Sequence, residues 1–480
     1  MTIVEKYRPS FHYTPRKGWM NDPNGLVYFD GEYHLFYQHD NYDRVFQNMS
    51  WGHAISTDLV HWEEYPKAIV PDDDGLGMIF SGSAVVDKNN CAGFGANTLI
   101  AFYTSTNPRQ QQCMAYSTDK GRTWTKYSGN PVIKNVQGGN IPNDFRDPKV
   151  IWHEDSQKWI MSLAVQDHID FWSSRNLKDW EKESEFGHGS GSHNGVWECP
   201  DLFELEVDGD KNNKKWVLIV SINPGGPNGG SATQYFIGDF KEADGKLTFI
   251  SDQKDEKWID YGTDNYAGVT WFNIQNKVIS IGWMSNWSYA DKVPTENWRG
   301  AMTIPRELKL KNIQGDIIVT SEPIEALQRK FEHTIATTAD VKINSDIKVG
   351  KELSSSRIKM KVDIDEVSDV GIEFSNRVGE NIRIGYNLAK WYLYVDRSNS
   401  GKVDYAPILN KLHKAKLERR LDKLDMEIFV DKSSVEVFFN GGEYVMTEII
   451  FPTEEFSMVK VYSDNKTEIR EFQIESLSGI

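Results

Sequence analysis

Cysteine is scarce in this chain, with Cys91, Cys113 and Cys199 the only three in 480 residues. An odd, widely spaced set supports no disulfide framework and matches no metal-ligand spacing. No run reaches the roughly 18 apolar residues that a membrane span needs. The opening Met1-Thr2-Ile3-Val4-Glu5-Lys6 also lacks the apolar stretch of a secretory leader. A cytoplasmic protein is the simplest expectation, with secretion open if a leader once preceded this sequence. Positive charge is short as well: 54 Lys and Arg against 70 Asp and Glu give a net charge of −16. Nucleic acid and anionic membranes need a basic face, so neither is expected as a partner, whereas a neutral substrate is compatible. His39, His53, His61 and His168 have no ligand spacing, so no metal is expected. Gly225-Gly226-Pro227-Asn228-Gly229-Gly230 lacks the Lys-Ser/Thr of a phosphate loop and reads as a flexible loop.

Aromatic residues, by contrast, make up 12% of the chain, with 16 Trp, 20 Tyr and 23 Phe. Rings suit a protein that binds sugars against their C–H faces, although filling β cores accounts for most of them. The length favours two domains. Three polar strings stand out in order: Trp19-Met20-Asn21-Asp22-Pro23-Asn24-Gly25, Phe145-Arg146-Asp147-Pro148 and Trp197-Glu198-Cys199-Pro200-Asp201. Each holds an acid and leads into a β-rich apolar run: Leu26–Phe29, Lys149–Trp152 and Leu202–Leu205. Acids at the same place in several strand units converge if the units surround an axis.

A repeat supports that arrangement. Asp30-Gly31 splits two apolar runs as a tight hairpin would. A polar turn closing on a tryptophan recurs as Ser56–Trp62, Ser117–Trp124 and Ser174–Trp180, with the tryptophans 62 and 56 positions apart. Ser117–Trp124 also matches the Asp-box turn of sialidases, where that turn is structural. The polar positions Asp22, Ser81, Asp147, Glu198 and Asp264 keep the same beat, at spacings of 59, 66, 51 and 66. Each is expected to precede the innermost strand of a four-stranded blade. The reading is therefore all-β: a five-bladed β-propeller over residues 1–310, with its inner strands starting at one mouth of a central channel. Residues 311–335 read as a linker with a short helix, because Ser321-Glu322-Pro323 offers an N-cap and an early Pro before helix formers. Residues 336–480 alternate apolar and polar, as in Ile358–Ile364 and Ser434–Phe439, which predicts strands with one buried face and a β-sandwich.

Paired carboxylates are the tools of glycosidic bond cleavage: one attacks the anomeric carbon and the other gives a proton to the leaving oxygen. Asp22, in a turn of amides able to hold it ionised, fits the nucleophile; its bland alternative is an Asx turn before proline. Glu198, bracketed by Trp197, Cys199 and Pro200, fits an acid in an apolar setting; its alternative is an edge Glu facing water. Asp147 beside Arg146 is expected to stay ionised and to grip hydroxyls and stabilise the transition state. Taken alone, that dipeptide is more often a structural ion pair.

With these strings, in this order, the chain resembles glycoside hydrolase family 32, the invertases, inulinases and levanases. Trp51-Gly52-His53-Ala54, Phe80–Ser83 and Gly282–Trp287 add to the likeness, and its flavour is that of bacterial exo-acting levanases. The resemblance implies a five-bladed propeller with a C-terminal sandwich and cofactor-free, retaining hydrolysis of β-fructofuranosides such as sucrose, inulin and levan. It also implies Asp22 as nucleophile, Asp147 as transition-state stabiliser and Glu198 as acid/base. Asn21, Gln38, Phe46, Trp51, Phe80, Ser81, Arg146 and Trp287 would bind the substrate. One departure is visible: relatives show Trp-Gly-Asn where this chain has Phe46-Gln47-Asn48, so one ring of the sugar wall is smaller and a glycine has gained a side chain. Rival readings are a fructosyltransferase using the same acids, an inverting propeller glycosidase of another type, and a sugar-binding propeller without catalysis. A homo-oligomer is left open.

Overall fold

The computed structural model describes residues 5–136, 138–364 and 369–478. Strands dominate, and among the described residues the α-helix is a single turn, Glu325–Gln328. The first 323 residues form antiparallel runs that each begin with an inner strand and step outward. Gly18–Phe29, Glu32–Asp40, Ser50–Ser56 and Glu63–Ile69 form one sheet, which Trp298–Arg299 extends by pairing parallel with Gly18-Trp19. Ile79–Asp87 to Thr125–Lys126 and Phe145–His153 to Glu181–Phe186 make two four-stranded sheets. The runs starting at Val196–Val207 and at Tyr266–Thr270 join into one larger sheet through a single parallel pair, Val207 with Leu310. The inner strands contact one another in a closed circuit: Gly18–Phe29, Ile79–Asp87, Phe145–His153, Val196–Val207, Tyr266–Thr270 and back to Gly18–Phe29.

Local sequence explains the joints. Asp30 and Gly31 both take positive φ, 50° and 87°, which a two-residue turn matched to strand twist requires. In the recurring Trp turn, Leu59, Lys120 and Leu177 adopt the same left-handed conformation, at 64°, 60° and 63°. The repeat is therefore a repeated backbone device on the outer strands.

Each inner strand breaks register near one end. The breaks fall between Met20 and Pro23, between Ile79 and Gly82, opposite Ser162/Ala164 at Arg146–Lys149, between Glu198 and Asp201, and between Tyr266 and Val269. A bulge places an extra residue on one strand and re-aims its side chains. Asp147, Cys199 and Ala267 supply the left-handed residue at three of them, with φ 65°, 47° and 54°. The polar strings thus lie inside the inner strands, at their bulges, rather than before them as expected.

The stretch expected as linker, 311–335, carries the strand Asp316–Pro323 paired with Arg306–Ile313, then the helix, then the start of Phe331–Thr337. Ser321 is part of that hairpin, and the helix is preceded by Ile324 with no side-chain cap. The C-terminal part is two six-stranded antiparallel sheets enclosing one core that includes Ile358, Met360, Phe374, Ile384, Met426 and Ile474. Ile358–Val362 alternates buried and more open positions, as predicted. Ser434–Phe439 does not: every residue is buried. Val435, Val437 and Phe439 face the sandwich core, whereas Phe438 packs into the N-terminal core and Glu436 pairs with Arg306. Its second face is covered by the other domain, which no local pattern encodes.

Candidate active site

The bulges bring the three acids together from sheets that are distant in sequence. Asp22 Oδ2 accepts from Ser81 Oγ at 2.7 Å, and its Oδ1 accepts from Asn21 Nδ2 at 3.0 Å. Asn21 is held in turn by Trp19 Nε1 at 2.7 Å. Cys199 stands between two of the acids: its Sγ is 3.6 Å from Asp22 Oδ2 and 3.6 Å from Asp147 Oδ2. The Cys199 amide donates to Asp147 Oδ2 at 2.9 Å, and the Asp147 amide donates to Thr104 Oγ1 at 3.0 Å. Glu198, on the same bulge as Cys199, accepts on Oε1 from Arg146 Nη2 at 3.0 Å and Nε at 3.2 Å, while Oε2 takes the Tyr266 hydroxyl.

Two expectations about charge need correction. Arg146 does not mainly serve its neighbour Asp147. Its guanidinium reaches Glu198, Asp144 Oδ1 at 2.6 Å and Gln110 Oε1 at 3.1 Å, and lies 3.9 Å from Asp147 Oδ2. Burial pushes the Asp147 carboxyl up to about 7; Arg146 opposes this, and the charges of Glu198 and Asp22 add to it. Asp22 is likewise raised by burial and by Glu198, against the hydrogen bonds from Ser81, Asn21 and Cys199. The setting of Glu198 is not apolar either. Successive strand residues point to opposite faces, so Trp197 turns away to pack on His193 and Phe236. Glu198 turns to an arginine and a phenol.

The remaining predicted residues divide. Phe46, Phe80, Trp19 and Trp287 form one aromatic group: Phe46 is 5.7 Å from Phe80 and 5.4 Å from Trp287, and Trp287 stacks on Trp19 at 5.9 Å. Phe46 is 39% exposed, so its ring is open to a ligand. Gln47 turns back onto its own loop, donating to Asp43 Oδ2 at 3.2 Å. Gln38 is buried below, where its Nε2 donates to Asn24 Oδ1 at 2.8 Å and its own carbonyl oxygen has no protein partner. Trp51 has no exposed surface; its ring packs on Phe36 and its Nε1 donates to the Phe80 carbonyl at 3.0 Å. It supports Phe80 from behind instead of facing a ligand, because Trp51 is in the third strand outward from the inner edge of its sheet. Among the described residues, His168, Glu185 and His188 are close enough to hold a cation, but Lys182 already pairs with Glu185 at 2.5 Å.

Comparison with known proteins decides the family. The family described as Glycosyl hydrolases family 32 N-terminal domain matches residues 12–321, and its C-terminal counterpart matches residues 323–476. The chain belongs to glycosyl hydrolase family 32. It is 46% identical to a levanase of Bacillus subtilis (strain 168), over 96% of this chain and 69% of that protein. Two solved structures superpose along the whole of both chains. The exo-inulinase from Aspergillus awamori has a TM-score of 0.91 at 35% identity. The fructofuranosidase from Schwanniomyces occidentalis complexed with fructose has a TM-score of 0.89 at 32% identity. A sequence relative from Aspergillus awamori is described as an extracellular exo-inulinase.

Within this family 32 chain, sequence reasoning missed Tyr266, Cys199 and Thr104 as parts of the acid cluster. Asp264, taken as the fifth position of the repeat, lies elsewhere: it is buried against the C-terminal domain, accepting from Arg397 Nη1 at 2.8 Å and the Ile449 amide at 2.9 Å. Tyr266, two residues on, fills the fifth position beside the left-handed Ala267. Aligning the units on their apolar runs, here Val269-Thr270-Trp271, instead of on the acids would have found it.

Proposed function

We propose that this protein is a retaining β-fructosidase that releases terminal fructose from sucrose and from inulin- or levan-type fructans. The observation that carries the reading is the meeting of Asp22, Asp147 and Glu198 at the bulged ends of strands from different sheets, in a chain of family 32. The closed circuit of inner strands supports a five-bladed propeller, and the two enclosing sheets support a β-sandwich after it. We place the division between them after Pro323, with the helix as the joint.

In the first step the Asp22 carboxylate attacks the anomeric carbon of the fructosyl unit, and Glu198 gives its proton to the departing oxygen. In the second, Glu198 takes a proton from water, the hydroxide oxygen bonds to the anomeric carbon, and the bond to Asp22 breaks. Asp147, held by Thr104 and the Cys199 amide, faces the same space and is assigned the sugar hydroxyls, whose hydrogen bonds strengthen as positive charge develops. The aromatic group of Phe46, Phe80 and Trp287 forms the wall, and Asn21, Ser81, Arg146 and Gln38 supply polar contacts. Trp51 acts through Phe80. The fructosyltransferase alternative differs only in the acceptor, a sugar hydroxyl in place of water. A fructan polymer is cut where it is met, so the extracellular exo-inulinase relative supports a secreted setting for that substrate.

The test is to follow sucrose, inulin and levan by NMR from the first minutes. The product formed first is expected to be fructose with the anomeric configuration of the substrate. Fructose of inverted configuration would end the retaining assignment, and fructosylated sugars as the main product would favour transfer.

Two variants sharpen the reading. Phe46→Trp is expected to change the ratio of kcat/KM between sucrose and fructans by about 1–3 kcal/mol, with Gln47→Gly changing it little because Gln47 faces its own loop. Equal ratios in wild type and Phe46→Trp would remove Phe46 from substrate preference. Ser81→Ala removes the shortest hydrogen bond to Asp22. That bond favours the ionised form, so its loss raises the Asp22 carboxyl further and moves the acid limb of kcat/KM to higher pH. An unmoved limb would show that Ser81 does not tune the nucleophile.

A further inference from the structure

The glycine loop Gly225–Gly230, between strands Asp210–Asn223 and Ala232–Ala243, is not the free loop its composition suggests. It is pinned through Asn228 both to Tyr261 of its own domain and to Lys414 of the C-terminal domain. The Asn228 Nδ2 donates to the Tyr261 carbonyl at 2.6 Å and the Lys414 carbonyl at 3.0 Å, and its Oδ1 accepts from the Lys414 amide at 2.9 Å. Lys414 belongs to Leu412–Lys416, the edge strand of its sheet. The side-chain amide of Asn228 thus pairs with an unpaired sheet edge as one more strand residue would.

The Gly230 end of the loop holds the substrate wall. The Trp287 amide donates to Ser231 Oγ at 3.1 Å, and the Ser231 amide donates to Asn286 Oδ1 at 3.3 Å. Gly230 has φ 67°, and a Cβ there would sit 2.2 Å from Asn286 Oδ1, so only glycine allows this approach. A continuous chain of contacts therefore runs from the sandwich edge through Asn228, Gly230 and Ser231 to Trp287.

We propose that Asn228 and Ser231 are positioning residues through which the C-terminal domain fixes Trp287, and that this docking sets affinity for the terminal sugar. The proposal rests on the reading that Trp287 lines the sugar pocket. Trp287 also stacks on Trp19, whose Nε1 orients Asn21 beside Asp22. A displaced Trp287 weakens sugar binding first and touches the acids only indirectly, so the effect belongs in KM more than in kcat.

The experiment is a double-mutant cycle in the full-length protein, with Asn228→Ala, Ser231→Ala, Trp287→Ala and the Asn228→Ala/Trp287→Ala pair, read as KM and kcat on sucrose. Asn228→Ala and Ser231→Ala are each expected to raise KM about tenfold and to lower kcat less than about threefold. In the Trp287→Ala background, Asn228→Ala is expected to add almost nothing, because residues acting through one another are not additive. Unchanged KM in both loop variants, with KM raised by Trp287→Ala, would overturn the coupling and leave the pocket reading intact. Losses that multiply in the double variant would overturn it too. If Trp287→Ala leaves KM unchanged, the pocket reading fails and the proposal with it. Should Asn228→Ala not fold, Ser231→Ala decides, since it cuts the link to Trp287, with the Ser231 hydroxyl's bond to Asn223 Oδ1 at 3.2 Å, and leaves the docking to Lys414 in place.

Discussion

Asp22→Asn is expected to lower kcat on sucrose by on the order of 10⁵-fold, the scale of losing a nucleophile that acts as part of a unit. Glu198→Gln should cost less, about 10²–10⁴-fold, the usual contribution of general acid–base catalysis. The two losses differ in kind. An amide at 198 can still accept from Arg146 but has no proton to give, so its defect depends on how badly the leaving oxygen needs one. An aryl fructoside with an acidic phenol as leaving group needs none in the first step, and on it Glu198→Gln should recover the rate of fructosyl transfer to Asp22. Phenol release then appears as a burst, because water still lacks its base in the second step. Asp22→Asn gains nothing from the better leaving group, since no carboxylate oxygen remains to form the bond. Rate constants on sucrose and the aryl fructoside, with single-turnover phenol release, check this. Equal losses on both substrates in both variants would refute the division of roles.

The acids were legible in the sequence because each sits in a short string with a proline that leads into an apolar, β-rich run, and because such strings recur at similar intervals. What those strings could not reveal is where a side chain points after the backbone breaks register. The apolar letters around Glu198 suggested a greasy pocket, yet strand alternation turns Trp197 away and gives Glu198 to Arg146 and Tyr266. The adjacency of Arg146 and Asp147 suggested an ion pair, yet the shorter contacts of the guanidinium are to residues 144 and 198. Trp51 carried a family string but proved to be support, because burial depends on its rank outward in the sheet and not on the string. The all-β class and the change of character after residue 310 followed from periodicity, which is local. Asp264, Glu436 and the glycine loop were misread for one reason: their partners lie in the other domain, more than 100 residues away.

The charges at that interface are buried away from water. Arg397, in the sandwich strand Tyr392–Asn399, is fully buried. Its Nη1 donates to Asp264 Oδ2 at 2.8 Å, its Nε lies 3.0 Å from Glu448 Oε2, and its Nη2 donates to the Thr263 hydroxyl at 2.5 Å. Replacing it with methionine keeps much of the volume but leaves Asp264 without a counter-charge and Glu448 with His413 alone, at 2.7 Å, in a low-dielectric space, which costs about 3–5 kcal/mol. In the native protein burial raises the Asp264 carboxyl and Arg397 opposes that rise, so removing Arg397 lifts it further above its unfolded value. A group raised in the folded state has its stability contribution below the unfolded pKa and loses it as pH climbs through the folded one. The penalty of Arg397→Met should therefore be smaller at about pH 5 than at about pH 8. Guanidinium unfolding midpoints of wild type and variant at the two pH values test the expectation. A difference under about 1 kcal/mol, within the range of an exposed pair, or one that does not shrink at the lower pH, would show that Arg397 is not the counter-charge holding the two domains together.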